Sequence, residues 1–540
     1  MIFQPLGAAS EVGASATLIE IEESRILVDA GIRMVPERDS QLPDFPSFDK
    51  VGMPDAVLLT HPHADHAGAL PVLRDLWIAG VKNYWTPATK AITRVMLEDS
   101  VNRMEREEQE AGKQSLYPRG DVEVFLHCMD TEVPWLEPVK ICEGVTATWI
   151  PAGHILGAAM IYIQGKSESI LMTGDVSATN QLTIPGMVVP EWVKPDVMVI
   201  ESTYGNRQHE ATRKQEAKRL AEDIAKTIEA GGKVLIPAFA VGRAQEAILI
   251  LKRAIEHGEI PPFPVYVDGM VRDINRIYSD PDFADELSPS LQRKAERGEN
   301  LFYSDVIEEV PRSQKPEDIL AGKPCCIVAS SGMLVGGKSS EYAKHLASDP
   351  KNLIAITGYQ AEGNPGRDLW DWVEAGRHPA DWVWHLKDQV TVHVECKVKK
   401  YSLSAHADSE ELLALVEKIQ PRKLFLVHGD AEARRELFKS VGKACPAVDV
   451  KRPKNRRAYT VRKRIGIAGR RKLNSDRILR ELATVVRKMG ESGPFSIQEL
   501  AAIWFGSAAI TEVVVKFVEW CLSLDREFFR RGSDNLFYLR

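Results

Sequence analysis

An α/β fold gathered around metal-ligating side chains is what this sequence of 540 residues predicts, on three observations. Short apolar runs of strand character each end in one ligand-type side chain. A central segment alternates helical and strand periods and reads as βαβ sequence. The stretch His61-Pro62-His63-Ala64-Asp65-His66 puts four metal-ligand side chains into six residues, directly after the apolar run Ala56-Val57-Leu58-Leu59.

Taken in order, Ile26-Leu27-Val28 is a strand that ends in Asp29. After the strand at Ala56, His61 and His63 alternate, so in an extended segment both imidazoles face one side and can hold one ion. Asp65 and His66 then serve a second ion or a proton transfer. Met96 to Gly112 is rich in both charge signs and reads as a solvent-exposed helix. Pro151-Ala152-Gly153-His154 is a loop of small residues around a ligand candidate. Ile170-Leu171-Met172-Thr173-Gly174 ends in Asp175, and Val197-Met198-Val199-Ile200 ends in Glu201. Further on, Ser404-Ala405-His406-Ala407-Asp408 is a second ligand-bearing loop, and Leu424-Phe425-Leu426-Val427 ends in His428. One Asp or His closing a strand is common in turns. If these strands lie side by side in one or two sheets, their polar ends converge on one edge.

Residues 206–395 interrupt that series. Ala217, Leu220, Ala221, Ile224, Ala225 and Ile228 recur at helical spacing, Val234-Leu235-Ile236 reads as a strand, another helix follows Gly242-Arg243, and Val265-Tyr266-Val267 is again a strand. The expected product is a small parallel sheet. Inside it Gly332-Met333-Leu334-Val335-Gly336-Gly337-Lys338-Ser339 fits the nucleotide-binding P-loop pattern letter for letter, with Asp268 available as a magnesium-binding strand end. Short glycine patterns recur freely, which weighs against an ATPase. Arg243 and Arg367, each beside a glycine, are candidate substrate contacts. Trp370, Trp372, Trp382 and Trp384 are spaced for core packing, and His127, His209, His257, His345, His378, His385 and His393 read as ordinary residues.

Lys451 to Lys472 holds eleven Lys or Arg and no acid, and reads as a basic linker. Beyond it come a helical stripe (Ile478, Leu479, Leu482, Val485, Val486, Met489), a capping box Ser496-x-x-Glu499, and an apolar helix from Ile510 to Leu524. Arg526–Arg531 and Leu536–Arg540 then flank a hairpin turn. That order resembles a winged helix. The third helix offers a groove little beyond Lys516, so nucleic-acid contact and a protein partner or homodimer are equal readings of this segment.

Composition narrows the function classes. A net charge of −7 argues against a generally sticky nucleic-acid binder. Seven scattered cysteines, never spaced Cys-x-x-Cys, read as reduced thiols. With no signal-peptide pattern and no apolar run of membrane length, a cytoplasmic protein with no membrane contact is expected.

The ordered motifs resemble those of the β-CASP branch of metallo-β-lactamase-fold hydrolases. The matching positions are Asp29, then His61-x-His63-x-Asp65-His66, then His154 and Asp175, followed by Glu201 (Glu-Ser-Thr-Tyr-Gly), His406 (Ser-Ala-His-Ala-Asp) and His428 (Val-His-Gly). The resemblance implies a metallo-β-lactamase αββα sandwich in two parts (1–205 and 396–450), a β-CASP insert (206–395), a linker (451–472) and a winged-helix-like domain (473–540). It further implies two Zn2+ ions, one on His61, His63 and His154, the other on Asp65, His66 and His428, with Asp175 bridging and Asp29 orienting ligands. Such a pair, roughly 3.5–4 Å apart, activates water and clamps phosphate oxygens. His406 would then protonate the leaving sugar oxygen, held and made more basic by Glu201. Ser331 and Gly332 correspond to a family segment whose small residues let the backbone approach substrate phosphate. Relatives acting on RNA carry His where His428 stands, while the DNA-repair branch carries Val. The expectation is a zinc-dependent ribonuclease that cuts single-stranded RNA to 5′-phosphate and 3′-hydroxyl ends. DNA cleavage, another hydrolysis on the same metal core, and a non-catalytic RNA-processing scaffold are the alternatives.

Overall fold

A computed structural model of the chain describes all residues except 36–39, 210, 379–381, 387–389, 462–474, 490–492, 506–511, 524–527 and 533–534. Two seven-stranded sheets lie face to face. The first runs, edge to edge, Tyr459–Thr460, Ile2–Pro5, Thr17–Ile21, Ser24–Val28, Ala56–Leu58, Lys82–Trp85, Thr131–Glu132. The second runs Asp449–Lys451, Lys423–Val427, Val197–Glu201, Ser169–Met172, Ala159–Gln164, Val145–Pro151, Val139–Cys142. Each is antiparallel in one half and parallel in the other.

The strand sequences explain the layering. Successive side chains point to opposite faces, so a strand that is apolar at every position must be covered on both. Ile26, Val28 and Leu58 point inward to meet Trp149, Ile161 and Val199, and Phe3 stacks on Phe425 across the gap at 4.3 Å. Leu27, Val57 and Leu59 point outward against Leu97 and Val101 of one helical layer, and Met198, Ile200 and Leu424 against Leu412 and Val416 of the other. This is an αββα sandwich.

The central segment forms a six-stranded, all-parallel sheet in the order Ile307–Glu309, Val265–Asp268, Cys326–Ala329, Val234–Pro237, Leu353–Ile356, Lys397–Lys400. Its last strand lies beyond the expected limit at 395. Thr212 and Gln215 close a capping box that starts its first helix, Arg213–Glu229. Trp372 stacks on Trp382 at 4.8 Å and Trp384 is fully buried, so this cluster packs a core.

Two expectations are corrected. The charged stretch from Met96 is the second half of a 25-residue helix, Pro87–Ala111, that buries Leu97, Val101, Met104 and Glu107. Its apolar stripe is narrow and masked by charges on either side. Residues 451–461 are not linker. Tyr459–Thr460 pairs with Ile2 and Phe3, Arg456 donates its backbone N–H to the Pro5 carbonyl at 2.8 Å, and the Tyr459 ring packs 5.4 Å from Phe425. The rest of the basic run, 462–472, lies outside the described residues.

At the C-terminus are helices Ser475–Lys488, Ile497–Phe505 and Glu512–Ser523 and a hairpin of Phe529–Arg531 with Phe537–Leu539. Ser496 and Glu499 cap the second helix reciprocally at 2.7 and 3.1 Å. Ile510, Leu524 and Arg526, expected in these elements, lie outside the described residues. The third helix packs on the segment Pro281–Glu286, where Lys516 pairs with Asp285. No described helix is long and apolar enough to cross a membrane, and all seven cysteines are free.

The loop after Val28 is stitched to the histidine-rich loop by backbone bonds from Ala30 to His66 (2.7 Å) and Ile32 to Ala64 (3.0 Å), and Ser15, ahead of the strand Thr17–Ile21, adds one to Asp65 (2.8 Å). A Cβ on Gly31 would meet the Asp65 carbonyl oxygen at 1.7 Å, so only glycine fits. Gly31→Ala is therefore expected to cost about 1–3 kcal/mol, as forced overpacking does. A urea midpoint equal to that of the parent protein would contradict this.

Candidate functional site

Asp29 follows Val28, His61 lies three residues past Leu58, Asp175 three past Met172, Glu201 ends its strand, and His428 follows Val427. All are C-terminal ends of strands in the parallel halves of the two sheets, where side chains from neighbouring strands converge. Asp29 and His428 have left-handed backbones, φ 62° and 48°, which turn the chain sharply at the strand end.

His61, His63, His154 and Asp175 each bring a donor atom within 4.8 Å of the others, and Asp65, His66 and His428 do the same. Asp175 faces both groups. Its Oδ2 lies 3.5 Å from His61 Nε2 and 3.7 Å from His154 Nε2, and its Oδ1 lies 3.5 Å from both His66 Nε2 and His428 Nδ1. Buried Nε2 atoms of His61, His63 and His66 and the buried Oδ1 of Asp175 have no hydrogen-bond partner. Buried polar atoms are almost always paired, so aligned orphans of this kind fit a cation.

The surrounding hydrogen bonds choose the free nitrogens. Asp29 accepts from His66 Nδ1 at 2.7 Å and from the Thr60 N–H at 2.9 Å. The Ala405 carbonyl accepts from His154 Nδ1 at 2.9 Å. In both rings this leaves Nε2 as the nitrogen facing the cluster, the usual way a ligating imidazole is oriented. Burial, reinforced by neighbouring imidazoles, holds His61 and His154 well below the ordinary histidine range, hence neutral and ligand-ready. Burial alone would push Asp175 up, but His428, His66 and His406 hold it well below the usual carboxylate range.

Beside this cluster, His406 Nδ1 donates to Glu201 Oε2 at 2.9 Å, and Glu201 Oε1 also accepts the Val176 N–H at 2.8 Å. Burial disfavours the imidazolium, yet Glu201 and Asp175 overcome it and raise His406 to about 9. Nδ1 is occupied, which leaves Nε2 as the nitrogen available to a substrate.

The glycine loop is no nucleotide cradle. Lys338 reaches its own helix, pairing with Glu341 at 2.8 Å, and the Ser339 hydroxyl donates to the Ser331 carbonyl at 2.6 Å. Asp268 accepts from Gly269 N–H and from the Tyr342 hydroxyl. The lysine, serine and aspartate side chains an ATPase would need are each engaged elsewhere. Among the described bonds none uses the N–H of Ser331 or Gly332. Arg367 is paired with Asp371 at 2.7 Å, whereas Arg243 is buried.

Sequence reasoning passed over three residues that the fold brings here. Gln181 donates to the carbonyls of Gly153 and His154 at 2.8 and 2.7 Å, and Arg213 joins Gln181 Oε1 to the Ser404 carbonyl. His209, read as ordinary, donates its backbone N–H to Asp408 and packs 6.1 Å from Tyr204. None of the three lies in a ligand-like motif, and nothing local in the sequence marks them.

Fold and site together define a metal-dependent hydrolase. Residues 9–186 match the metallo-beta-lactamase superfamily, 244–369 the Beta-Casp domain, and 391–443 the Zn-dependent metallo-hydrolase RNA specificity domain. The chain is 35% identical over 454 residues to transcription termination factor FttA of Pyrococcus abyssi, covering 81% of this chain and 68% of that one. The FttA of Methanocaldococcus jannaschii is 33% identical over 456 residues, covering 80% and 69%. An RNase J-like protein of the same organism is 32% identical over 428 residues, covering 78% and 91%. The chain belongs to the β-CASP family of metallo-β-lactamase-fold hydrolases.

Asp29 is bonded to a ring and not aimed at the cluster, so its loss should free His66 to rotate. Asp29→Ala is expected to weaken zinc binding about 10- to 100-fold. Competition against a chromophoric chelator measures it, and an unchanged affinity would remove Asp29 from this role.

Proposed function

We propose that this protein is a zinc-dependent ribonuclease that hydrolyses phosphodiester bonds of single-stranded RNA, leaving 5′-phosphate and 3′-hydroxyl ends. The observation that carries the reading is the Glu201–His406 pair, 2.9 Å apart, beside the two-sided Asp175 cluster. A phosphodiester's leaving group is an alkoxide that must be protonated, and His406, held by Glu201 beside the cluster, is placed to supply that proton.

In this reading His61, His63 and His154 would hold one zinc ion and Asp65, His66 and His428 another, with Asp175 a ligand common to both groups. Bound there, the ions supply a water activated at neutral pH and positive charge for the phosphate oxygens. The chain's own residues do the rest. His406 holds its proton on Nε2 and delivers it to the departing 3′ oxygen. Glu201 keeps the ring turned toward that oxygen and stabilises the imidazolium before transfer. Ser331 and Gly332 offer unused backbone N–H groups to a phosphate further along the strand.

RNA is favoured over DNA on two grounds. The segment matching an RNA specificity domain carries both His406 and His428. The relatives named above are a termination factor and an RNase J-like protein.

Zinc-replete protein is expected to hold two ions per chain and to cut RNA labelled at one end, leaving matched DNA intact on a denaturing gel. His406→Ala should lower kcat by about 10²- to 10⁴-fold, the usual contribution of a general acid, with zinc content by mass spectrometry unchanged. Binding without cutting by the parent protein would make it a scaffold. Equal cutting of both strands would remove the RNA preference.

A further inference from the structure

Arg243 opens the helix Arg243–Glu256 and Arg213 opens Arg213–Glu229. The partial positive charge of a helix N-terminus repels a cation placed there, so neither arginine is stabilised by its own helix. One carboxylate, Glu246, serves both. Its Oε1 is already taken by the N–H and hydroxyl of Thr183 at 2.7 and 2.8 Å, and its Oε2 accepts from Arg213 Nη2 at 3.3 Å. The other partners of Arg213, the Ser404 carbonyl and Gln181 Oε1, are neutral.

Arg243 is only 6% exposed, and its guanidinium makes no hydrogen bond among the described residues. Its Nη1 is buried without a partner, as is Arg213 Nε. Burial first, and then the Arg213 charge, pull Arg243 down to about 9, against the opposing pull of Glu246. The buried Arg243 and the half-buried Arg213 thus have a single carboxylate near them among the described residues. An uncompensated buried charge costs several kcal/mol, a cost that an arriving anion would offset.

Position says which ligand. Gly242 packs directly on Ile155, the residue after His154, where a Cβ would come within 2.5 Å of Ile155 Cγ2. Arg213 touches the loops of both His154 and His406, through Gln181 and Ser404. Tyr204, in the strand-end segment that follows Glu201, stands edge-on to the His406 ring at 6.0 Å.

We propose that Arg243 and Arg213 form a buried anion subsite beside His406 that takes a phosphate of the RNA strand next to the one being cut. The proposal rests on the ribonuclease reading. Arg243 contributes its unpaired fork, while Arg213 contributes Nε and keeps its bonds to the two loops.

The test uses full-length, zinc-replete protein and a short RNA cut at one mapped bond. Each neighbouring linkage is replaced in turn by an uncharged methylphosphonate, and the same RNA is made with and without a 5′-terminal phosphate. For the parent enzyme, neutralising one particular phosphate should lower kcat/KM roughly 10- to 100-fold, as loss of a charged hydrogen bond does. Arg243→Met should show that loss already with native RNA and be indifferent, within about twofold, to the same replacement, since the two partners form one interaction. A coupled internal linkage marks a phosphodiester subsite, and coupling to the 5′ phosphate marks a terminal one; either supports the proposal. Arg243→Lys should retain a weakened coupling. In phosphate-free buffer Arg243→Met should melt no lower than the parent, because it removes an unpaired buried charge. Inorganic phosphate, which the metal site can also take, should raise the melting temperature of the parent more than that of Arg243→Met. A clear loss of stability in Arg243→Met would make Arg243 structural and overturn the proposal. RNA cleavage with no linkage coupled to Arg243 would overturn it while leaving the ribonuclease reading intact. No cleavage of RNA by the parent would overturn both.

Discussion

Keeping Asp175 ionised while it is buried is the constraint on which the rest of the site depends. A bare carboxylate taken out of water would sooner gain a proton than keep its charge. Around Asp175 this outcome is prevented by imidazoles on both sides, His61 and His154 facing one oxygen and His66 and His428 the other. The imidazoles in turn cannot all be charged at once, since five rings packed at 4.0–5.0 Å would repel one another. The cluster resolves this by division: burial keeps His61 and His154 neutral, while the carboxylates raise His66 and His428. Metal ions fit the same place for the same reason, because they bring positive charge to Asp175 and take the lone pairs the neutral rings present.

Such a cluster holds its shape only if each ring is fixed from behind. Asp29 fixes His66, the Ala405 carbonyl fixes His154, and Glu201 fixes His406. These anchors come from distant parts of the chain, so the site exists only when both sheets and the loop at 404–408 are assembled. Arg213 extends the arrangement to the insert, since its helix belongs to the six-stranded domain while its side chain bonds Ser404 and Gln181. A shift of the insert is therefore felt at both His154 and His406.

What was legible in the sequence follows from this. Ligand residues at strand ends were readable because parallel strands are apolar throughout and the polar residue that ends one stands out. His61, His63, Asp65 and His66 were readable for the further reason that four of them share one loop. The backs of the rings were mostly not readable. Gln181 and Arg213 are ordinary polar residues in sequence, and only the fold places them against carbonyls of the motif loops. Residues 451–461 misled for a related reason: their charge density suggested a linker, but alternate side chains, Tyr459 among them, face the core. The helix at 87–111 hid a narrow apolar stripe among charges in the same way.

The glycine loop at 332–339 and the arginine at 243 show how far residue type stops short of chemistry. The first has every letter of a phosphate-binding loop, yet its lysine and serine are satisfied within the loop and its own helix. The second is one arginine among many, yet its buried Nη1 has no hydrogen-bond partner among the described residues. A group already hydrogen-bonded must give something up to meet a ligand, so its net contribution is small. A buried cation with no bond to lose gains the whole interaction when an anion arrives. The same reasoning applies to the third C-terminal helix. Its exposed lysine is paired with Asp285 of the insert, and the helix packs on the Pro281–Glu286 segment there.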